Sequence, residues 1–446
     1  MMGSKAALAI AAGILAALAA AAAPAADWPQ YLGPNRDGIS EETGLARAWP
    51  AGGPKVLWTV PLGPGYGGAA VRQGKVYVLD RIGGKEDVLR CLDLADGREL
   101  WTFAYPAPGK LAHDGSRTVP AVDDRHAYVA GPFGQFHAVS LQTHKAVWQA
   151  NLIKDFGGAR PQWGFAQNPL LYKDLVIAVP LGRDAGVVAF DRASGRVAWK
   201  SPFLPGSMSG TWYGSYASPA VLSVGGTDQV VAITAQGTNK AGGEFKGQVT
   251  GVSAADGSIL WTYAGWQCDL PIPAPAILPG GRVFLTGAYD AGSAMVRVEK
   301  RGDAFTATEL YKSMACGSQI HRALYWRDHL FVVSNGKERR EGLMCLSPGG
   351  EVKWHTTNSK FSSKAAEGLP NFDVGNLLVA DGMIYILDGQ TGDLRLLEAS
   401  PDAYKELACA PGILGGQEIW APMALSDGKL LIRDQSRMKC LDVKGS

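Results

Sequence analysis

The residues that most often carry enzyme chemistry are scattered along this chain and form no catalytic motif. All six cysteines are separated from one another, and none belongs to a Cys-x-x-Cys pair that would bind zinc or attach a haem. GPGYGG (63–68) has the spacing Gly-x-Gly-x-x-Gly, but a strand-like run follows it where a dinucleotide site needs a helix. The Gly-x-Ser-x-Gly and His-Glu-x-x-His patterns of hydrolases do not occur. We therefore assign no catalytic residue.

A second set of residues is better suited to binding. Long segments rich in aromatic and polar residues alternate with short turns such as ADG, ASG and RQGK. Because loops carry binding residues and short turns carry structure, the long segments predict a ligand-binding face. Flat rings beside polar groups suit a sugar ring, a quinone or a protein partner. The candidate ligand-binding residues are Arg117, Trp163, Trp212, Tyr213, Tyr216, His321, Arg322, Asn371, Asp373 and Trp420.

The long segments connect the strands of a repeat that runs along the whole chain. Similar stretches ending in tryptophan recur, for example AFDRASGRVAW (189–199) and GVSAADGSILW (251–261). Two further strand-like runs joined by a glycine turn precede each tryptophan, as in AAVRQGKVYVLD (69–80). Four strands in each period of about 40 residues are typical of a β-propeller blade.

The repeats predict an all-β fold, an eight-bladed β-propeller of four-stranded antiparallel blades. Full repeats run from about residue 66 to residue 410, and the tail supplies only three more strands. KVLWTVPL (55–62) has the tryptophan of a repeat without the preceding strands. Pairing this N-terminal strand with the C-terminal tail would complete the eighth blade and leave no open edge. Seven blades is the alternative, because the fifth and seventh repeats lack the tryptophan.

The repeated tryptophan is interpreted as a structural residue that locks blade to blade. Position 1 of each stretch is small, position 7 is often glycine and position 11 is tryptophan. A small residue leaves space for the indole, whose N–H can bond a main-chain carbonyl. A feature of nearly every blade does not define one site. The predicted blade-locking residues are Trp58, Trp101, Trp148, Trp199, Trp261 and Trp354.

The cysteines divide into two groups by their place in the repeat. Cys91, Cys345 and Cys440 occupy the small position 1, which predicts that they are buried apolar residues. Cys268 and Cys316 each follow the outer strand of a blade, on one face. A disulfide between these two is one option in an exported protein.

The N-terminal residues have the features of an export signal. Lys5 precedes the apolar run AALAIAAGILAALAA, and Ala23-Pro24-Ala25 fits a small-x-small cleavage site. We expect residues 1–25 to be a signal peptide and the protein to be periplasmic or secreted. An uncleaved membrane anchor is the alternative.

The mature chain is predicted to have two parts. Residues 26–54 form an N-terminal strap packed over the propeller, with Trp28 and Tyr31 as anchors, and residues 55–446 form the propeller domain. A net charge of +2 is too balanced to predict binding to nucleic acid or to an anionic membrane. The mature chain has no further long apolar run, so we expect no stable membrane insertion after signal cleavage. We also expect a monomer.

The repeat resembles that of the PQQ-like β-propeller proteins, which have a quinoprotein alcohol dehydrogenase-like fold. The family pattern, Ala-x-Asp-x-x-[Thr/Ser]-Gly-x-x-x-Trp, is matched in full at Ala189, Asp191, Ser194, Gly195 and Trp199. The resemblance covers about residues 27–446. It implies the fold, because the shared pattern is the blade lock and not a cofactor site.

The resemblance also implies what a family dehydrogenase requires. Such enzymes hold pyrroloquinoline quinone between a tryptophan floor and a disulfide of adjacent cysteines, beside Ca²⁺. This chain has no adjacent cysteines and no Asp-x-[Asp/Asn]-x-[Asp/Asn]-Gly loop. We therefore predict no metal site and favour no bound quinone.

The leading hypothesis is a binding or scaffold module that contacts a protein or glycan with its long-loop face, around the mouth of the central channel. The alternative is a quinone- and Ca²⁺-dependent alcohol or sugar dehydrogenase. A further alternative applies to each loop tryptophan, which would then pack between blades and bind nothing.

Overall fold

A computed structural model describes residues 26–158, 160–207, 214–238, 243–335, 342–356, 369–370 and 372–445. The predicted signal peptide lies outside the described residues. In the part of the chain that is described, every regular element is a strand. No helix in that part is long and apolar enough to span a membrane.

The strands follow one another in chain order. The first two are β1 (Ile39–Ser40) and β2 (Lys55–Pro61). Blades 1 and 2 contain β3 (Ala69–Arg72), β4 (Lys75–Ile82), β5 (Glu86–Asp93), β6 (Glu99–Pro106), β7 (Ala121–Val122), β8 (His126–Ala130), β9 (Gln135–Ser140) and β10 (Ala146–Asn151). Blades 3 and 4 contain β11 (Leu170–Tyr172), β12 (Leu175–Ala178), β13 (Val188–Asp191), β14 (Val197–Lys200), β15 (Ala220–Val224), β16 (Thr227–Ile233), the inserted hairpin β17 (Gly237–Thr238) and β18 (Glu244–Phe245), then β19 (Val249–Ser253) and β20 (Ile259–Tyr263).

The second half of the chain repeats this arrangement. Blades 5 and 6 contain β21 (Ala276–Leu278), β22 (Arg282–Gly287), β23 (Gly292–Arg301), β24 (Ala304–Ser313), β25 (Leu324–Trp326), β26 (His329–Ser334), β27 (Gly342–Leu346) and β28 (Val352–His355). Blades 7 and 8 contain β29 (Asn376–Ala380), β30 (Met383–Leu387), β31 (Leu394–Glu398), β32 (Glu406–Ala410), β33 (Ala424–Ser426), β34 (Lys429–Arg433) and β35 (Arg437–Asp442).

The eight blades close into a ring through the two ends of the chain. Strand β2 pairs antiparallel with β35 and places Trp58 opposite Cys440, so blade 8 has the order β2-β35-β34-β33. The prediction of eight blades with mixed-terminus closure is confirmed, and seven blades is wrong. Closure removes the unpaired edge that a three-stranded blade would present to other chains.

The blades pack face to face through buried side chains. Strand β30, in the middle of blade 7, is buried along its whole length, whereas in the outer strand β6 only Tyr105 is buried and the other residues are partly or fully exposed. This difference explains why inner strands are continuous apolar runs. Between blades 2 and 3 the core contains Tyr128, Phe136 and Phe190.

The repeated tryptophan locks neighbouring blades, and Trp199 shows how. It lies opposite Ala189 across the β13–β14 pair, where the small residue leaves space for the indole. Its Nε1 donates to the carbonyl of Ala254 in the next blade at 3.1 Å. A Cβ built on Gly257 would approach the indole to 2.7 Å, so glycine allows the two blades to meet.

Most of the other predicted tryptophans make the same inter-blade bond. Trp58, Trp148 and Trp354 donate to main-chain carbonyls of the following blade at 3.0, 3.0 and 3.1 Å. Trp101 instead stacks on His144, with ring centroids 4.6 Å apart, because histidine replaces the glycine of position 7. Trp261 donates to Gln229 within its own blade.

The cysteines behave as small buried residues. Cys91, Cys345 and Cys440 face tryptophans across their strand pairs and have no exposed surface. Burial raises the pKa of the Cys91 thiol to about 11, so it stays protonated at neutral pH. No disulfide joins Cys268 and Cys316, which are both buried.

The N-terminal strap enters the central channel. Trp28 exchanges main-chain hydrogen bonds with Val71 in blade 1, at 2.9 and 2.8 Å. Strand β1 pairs in parallel with β29, the innermost strand of blade 7. The strap thus pairs with main-chain N–H and C=O groups at the free edges of inner strands. For this reason it lies inside the channel, and the prediction that it packs over the propeller is wrong. Trp28 and Tyr31 are buried, as expected of anchors.

Both ends of the strap lie at the short-turn face of the propeller. Its ends contact Gln73 and Asp381, which lie in turns on the short-turn face. In between, Arg36 donates to the carbonyls of Pro169 and Pro219 at 2.8 and 3.1 Å, where the long loops meet the innermost strands of blades 3 and 4. The strap therefore fills the channel from the short-turn face and leaves it open toward the long loops.

Candidate ligand-binding site

A cavity of about 190 Å³ lies where the channel opens on the long-loop face. Apart from Tyr31 in the strap and Tyr289 in the β22–β23 turn, its lining residues lie in loops that precede innermost strands. Several blades therefore build it together around the channel axis. The lining residues are Tyr31, Tyr66, His113, Arg117, Val119, Trp163, Ala166, Asn168, Tyr216, Ser218, Ile272, Tyr289, Gln319, Ile320, His321, Trp420 and Pro422.

An arc of aromatic rings forms one wall of the cavity. Tyr66 stacks on Trp420, with centroids 5.3 Å apart and planes inclined by 30°. Trp163 lies against Tyr216 at 5.4 Å. The imidazole of His113 joins the two pairs, at 5.9 Å from Trp420 and 6.3 Å from Trp163. The rings come from blades that are distant in sequence, so the propeller fold alone brings them together.

Glu418 braces this wall at its rim. The Tyr66 hydroxyl donates to Glu418 Oε2, and His113 Nδ1 lies 3.1 Å from Glu418 Oε1. Burial, followed by the nearby carboxylate, raises the pKa of Tyr66 well above its ordinary value. The phenol therefore stays protonated at neutral pH and acts as a hydrogen-bond donor.

Arg117 lines the cavity beside Tyr66 and ties two of the loops together. Its guanidinium donates to the carbonyl of Gly115 at 2.8 Å and also to the carbonyls of His113 and Trp163. It lies 5.4 Å from the centroid of the Tyr66 ring. Burial lowers its pKa to about 10, so it remains charged at neutral pH.

The floor of the cavity is made by the strap. Tyr31 presents its ring there, and the guanidinium of Arg36 lies 5.6 Å from the centroid of that ring. Arg322 Nη1 donates to the Arg36 carbonyl at 2.6 Å. Burial lowers the pKa of Arg36 to about 9 and raises that of Tyr31. The floor is thus a neutral ring above two buried cations.

The protonation state of His321 follows from its neighbour Asn376. The main-chain N–H of Met423 donates to Asn376 Oδ1 at 3.1 Å, so the amide nitrogen faces His321 Nδ1, also at 3.1 Å. Nδ1 therefore accepts, and the proton of the neutral imidazole is on Nε2. Burial lowers the pKa of His321 to about 4, which keeps it neutral at pH 7.

Comparisons with known proteins agree with this architecture. A family model described as outer membrane protein assembly factor BamB matches residues 84–265. The quinohemoprotein alcohol dehydrogenase of Comamonas testosteroni is 13% identical, with a TM-score of 0.61, covering 94% of this chain and 81% of that chain. A europium-containing methanol dehydrogenase is also 13% identical, with a TM-score of 0.60, covering 91% of this chain and 89% of that chain. The chain has a PQQ-like β-propeller fold.

The chain is also similar in structure to a designed protein. The computationally designed Ika8 protein is 11% identical, with a TM-score of 0.54, covering 87% of this chain and 100% of that chain. A search of the curated proteins found no match. Identities this low show the fold and do not assign an activity.

The propeller brings five of the predicted binding residues together. Arg117, Trp163, Tyr216, His321 and Trp420 all line the cavity. Trp212, Tyr213 and Asn371 lie outside the described residues.

Two predicted binding residues do not line the cavity. Arg322 is buried beneath the floor. Asp373 accepts a hydrogen bond from Asn335 at 3.2 Å and lies beside blade 7. Their loops were correctly placed, but the side chains point elsewhere.

Sequence reasoning missed Tyr66, His113 and Glu418. Tyr66 stands in GPGYGG, which was considered only as a dinucleotide motif and rejected as one. An aromatic residue flanked by glycines in a long loop was the available signal, because glycines let other chain segments approach closely. Cβ atoms built on Gly67 and Gly68 would lie 2.3 and 2.2 Å from main-chain carbonyl oxygens.

The described residues do not fit quinone and Ca²⁺. They contain no group of three His, Cys, Asp or Glu side chains that would hold a metal ion. Among the residues that the structure describes, no carboxylate lines the cavity, and Glu418 at its rim is bonded to Tyr66 and lies against His113. A Ca²⁺ site needs six to eight oxygen ligands, several of them carboxylate. We therefore derive no step through this cofactor.

Proposed function

We propose that this PQQ-like propeller is an exported binding module that takes a sugar ring of a glycan on its long-loop face. The observation that supports this most strongly is the ring-sized cavity with aromatic walls at the blind end of the channel. A cavity of about 150 Å³ accommodates a benzene ring, so about 190 Å³ suits one ring of a longer chain.

The chemistry of the walls supports the same proposal. The rings of Trp163 and Tyr216 offer apolar surface to the C–H faces of a sugar, and Tyr and Trp add polar edges. Hydroxyl groups find partners in Asn168, Ser218 and Gln319, which also line the cavity. Because the strap closes the floor, a chain would enter from the long-loop face only.

A protein partner is the second candidate. The matching family model is described as an outer membrane protein assembly factor, and that description favours a protein partner on the same propeller surface. An inserted aromatic side chain of such a partner would use the same walls as a sugar ring. Export, in either case, follows from the predicted signal peptide at residues 1–25.

The proposal is tested with the chain purified from residue 26. A panel of oligosaccharides is titrated while tryptophan fluorescence is recorded, and hits are measured by calorimetry. Trp163→Ala and Trp420→Ala should each weaken binding about tenfold or more, because each removes a wall of the cavity. Trp326→Ala is the matched control, since Trp326 ends β25 on the short-turn face.

Two results would overturn the proposal. One is the absence of binding to every oligosaccharide, with capture of a protein partner that Trp163→Ala abolishes. The other is tight, Ca²⁺-dependent binding of pyrroloquinoline quinone, which would restore the dehydrogenase alternative.

A further inference from the structure

Three buried arginines surround the cavity without carboxylate partners. Arg36 donates to the carbonyls of Pro169 and Pro219, and Arg117 donates to three main-chain carbonyls. Arg322 donates to the carbonyls of Arg36 and Ala323. Among the described residues, the ion pairs include none of these three guanidinium groups.

A further buried arginine, Arg81, differs from these three because it has carboxylate partners. Arg81 is fully buried between blade 1 and its loop, and it pairs with Asp87 at 2.8 Å and with Asp114 at 3.0 Å. Burial of a charge is costly unless an opposite charge or a ligand compensates it. Arg81 therefore has carboxylate partners, whereas the three arginines around the cavity, like the buried Arg433, donate to main-chain carbonyls.

The acidic groups near the cavity offset only part of the positive charge. Asp37 lies near Arg322. Asp114, which pairs with Arg81, lies near Arg117. Glu418 is at the rim, where it is bonded to Tyr66 and lies against His113. Main-chain carbonyls solvate the guanidinium groups without neutralising them, so the interior of the cavity favours an anion.

Arg117 is the cation that an occupant would meet. It lines the cavity and uses three of the five N–H groups of a guanidinium on loop carbonyls, which leaves two. A carboxylate accepts such N–H groups more strongly than a hydroxyl does. The ring of the same sugar would stack on the aromatic wall.

We propose that the cavity selects a uronate, a sugar ring that bears a carboxylate, within an acidic glycan. This inference rests on the proposed function and names the class of its ligand. The wall binds the ring and Arg117 binds the carboxylate, while Arg36 and Arg322 add positive charge from beneath the floor.

The test compares two forms of one glycan. Calorimetry measures an oligogalacturonate and its methyl ester, which have the same sugar backbone and differ in charge. The acid form should bind about tenfold more tightly, and its affinity should fall as salt is added. Arg117→Gln should remove most of this preference, so that the acid and the ester bind the variant with similar affinities. Arg196→Gln, in an exposed turn of blade 3, is the matched control.

The outcomes separate the two proposals. Equal binding of acid and ester would leave the glycan proposal standing and overturn the preference for a uronate. Failure of both forms, together with every neutral oligosaccharide of the panel, would overturn both proposals. If Arg117→Gln does not fold, the comparison of acid and ester on the unaltered protein, at low and high salt, decides alone.

Discussion

Trp199 and Trp163 are the same residue type used in two different ways. Trp199 ends a repeated stretch, is buried, and donates its N–H to the next blade. Trp163 stands in a loop outside the repeat, is partly exposed, and lies beside Tyr216 and His113 at the cavity. The repeated tryptophan holds neighbouring blades together, whereas the unrepeated one helps to form a single site at the mouth of the channel.

This difference shows how a repeat protein can acquire a site. The lock at Trp199 depends on Ala189 and Gly257, which belong to the repeat itself. The cavity depends on loops whose sequences differ from blade to blade, so changing them leaves the locks intact. Stability and binding should therefore respond to different substitutions.

The largest expected effect separates these two tryptophans by stability. Trp199→Ala leaves a buried cavity and should lower the free energy of unfolding by about 3–5 kcal/mol. Trp163→Ala, in a partly exposed loop, should lower it by less than about 1 kcal/mol. Denaturant unfolding of both variants measures the contrast, and similar losses would show that Trp163 is another structural residue.

A slightly smaller effect should appear in the pH dependence of stability. His137 is buried against Tyr105, with ring centroids 4.3 Å apart, and burial lowers its pKa from 6.5 to about 4. The unfolded chain then binds a proton that the folded chain does not, so stability falls as the pH drops from about 6.5 to about 4. The loss is about 3 kcal/mol.

His137→Leu removes the imidazole that takes up this proton on unfolding. Unfolding measured from pH 7 to pH 4 should show a shallower loss in the variant than in the unaltered protein. His329→Gln, at the start of β26, is the control variant. An unchanged slope in His137→Leu would mean that this histidine does not stay neutral in the folded state.

The blade lock can be tested without touching a tryptophan. Gly257 and Gly226 both have a positive φ, +80° and +75°, but only Gly257 has atoms of the preceding blade within 4 Å of a built Cβ. Gly226→Ala should cost about 1 kcal/mol of backbone strain. Gly257→Ala should cost about 1–2 kcal/mol more, because it also clashes with Trp199. Equal losses in unfolding experiments would argue against the lock.

The smallest expected effect concerns the brace of the cavity wall. Glu418→Gln keeps an oxygen acceptor but removes the charge shared by Tyr66 and His113. Because this side chain is about one-third exposed, the free energy of unfolding should change by less than about 1 kcal/mol. Affinity for an oligosaccharide should fall about threefold, with Glu299→Gln as the surface control. A large stability loss with unchanged affinity would place Glu418 among the structural residues.

Much of the fold followed from the sequence because the repeat is dense in signals. Trp58 without preceding strands indicated the closure of blade 8, and the small residues opposite each tryptophan indicated the lock. Two positions depart from the pattern, namely His144 in place of glycine and Tyr311 in place of tryptophan. His144 stacks on Trp101, and Tyr311 packs over Gly350, so each preserves the contact with a different ring.

The site was predicted less completely, for two physical reasons. The strap has no periodicity, so nothing in its sequence showed that Arg36 would reach loops of blades 3 and 4 inside the channel. Loop side chains also point in directions set by tertiary contacts. His321 faces the cavity, while its neighbour Arg322 lies beneath the floor.

The most direct test of the account is hydrogen–deuterium exchange with and without a saturating oligogalacturonate. If the cavity binds the glycan, exchange should slow in the cavity loops, at 113–119, 163–168 and 319–321. Exchange in the repeated turns, at 93–98, 191–196 and 253–258, should not change. Protection of the repeated turns with unchanged cavity loops would contradict the account, because the repeat itself would then be the binding surface.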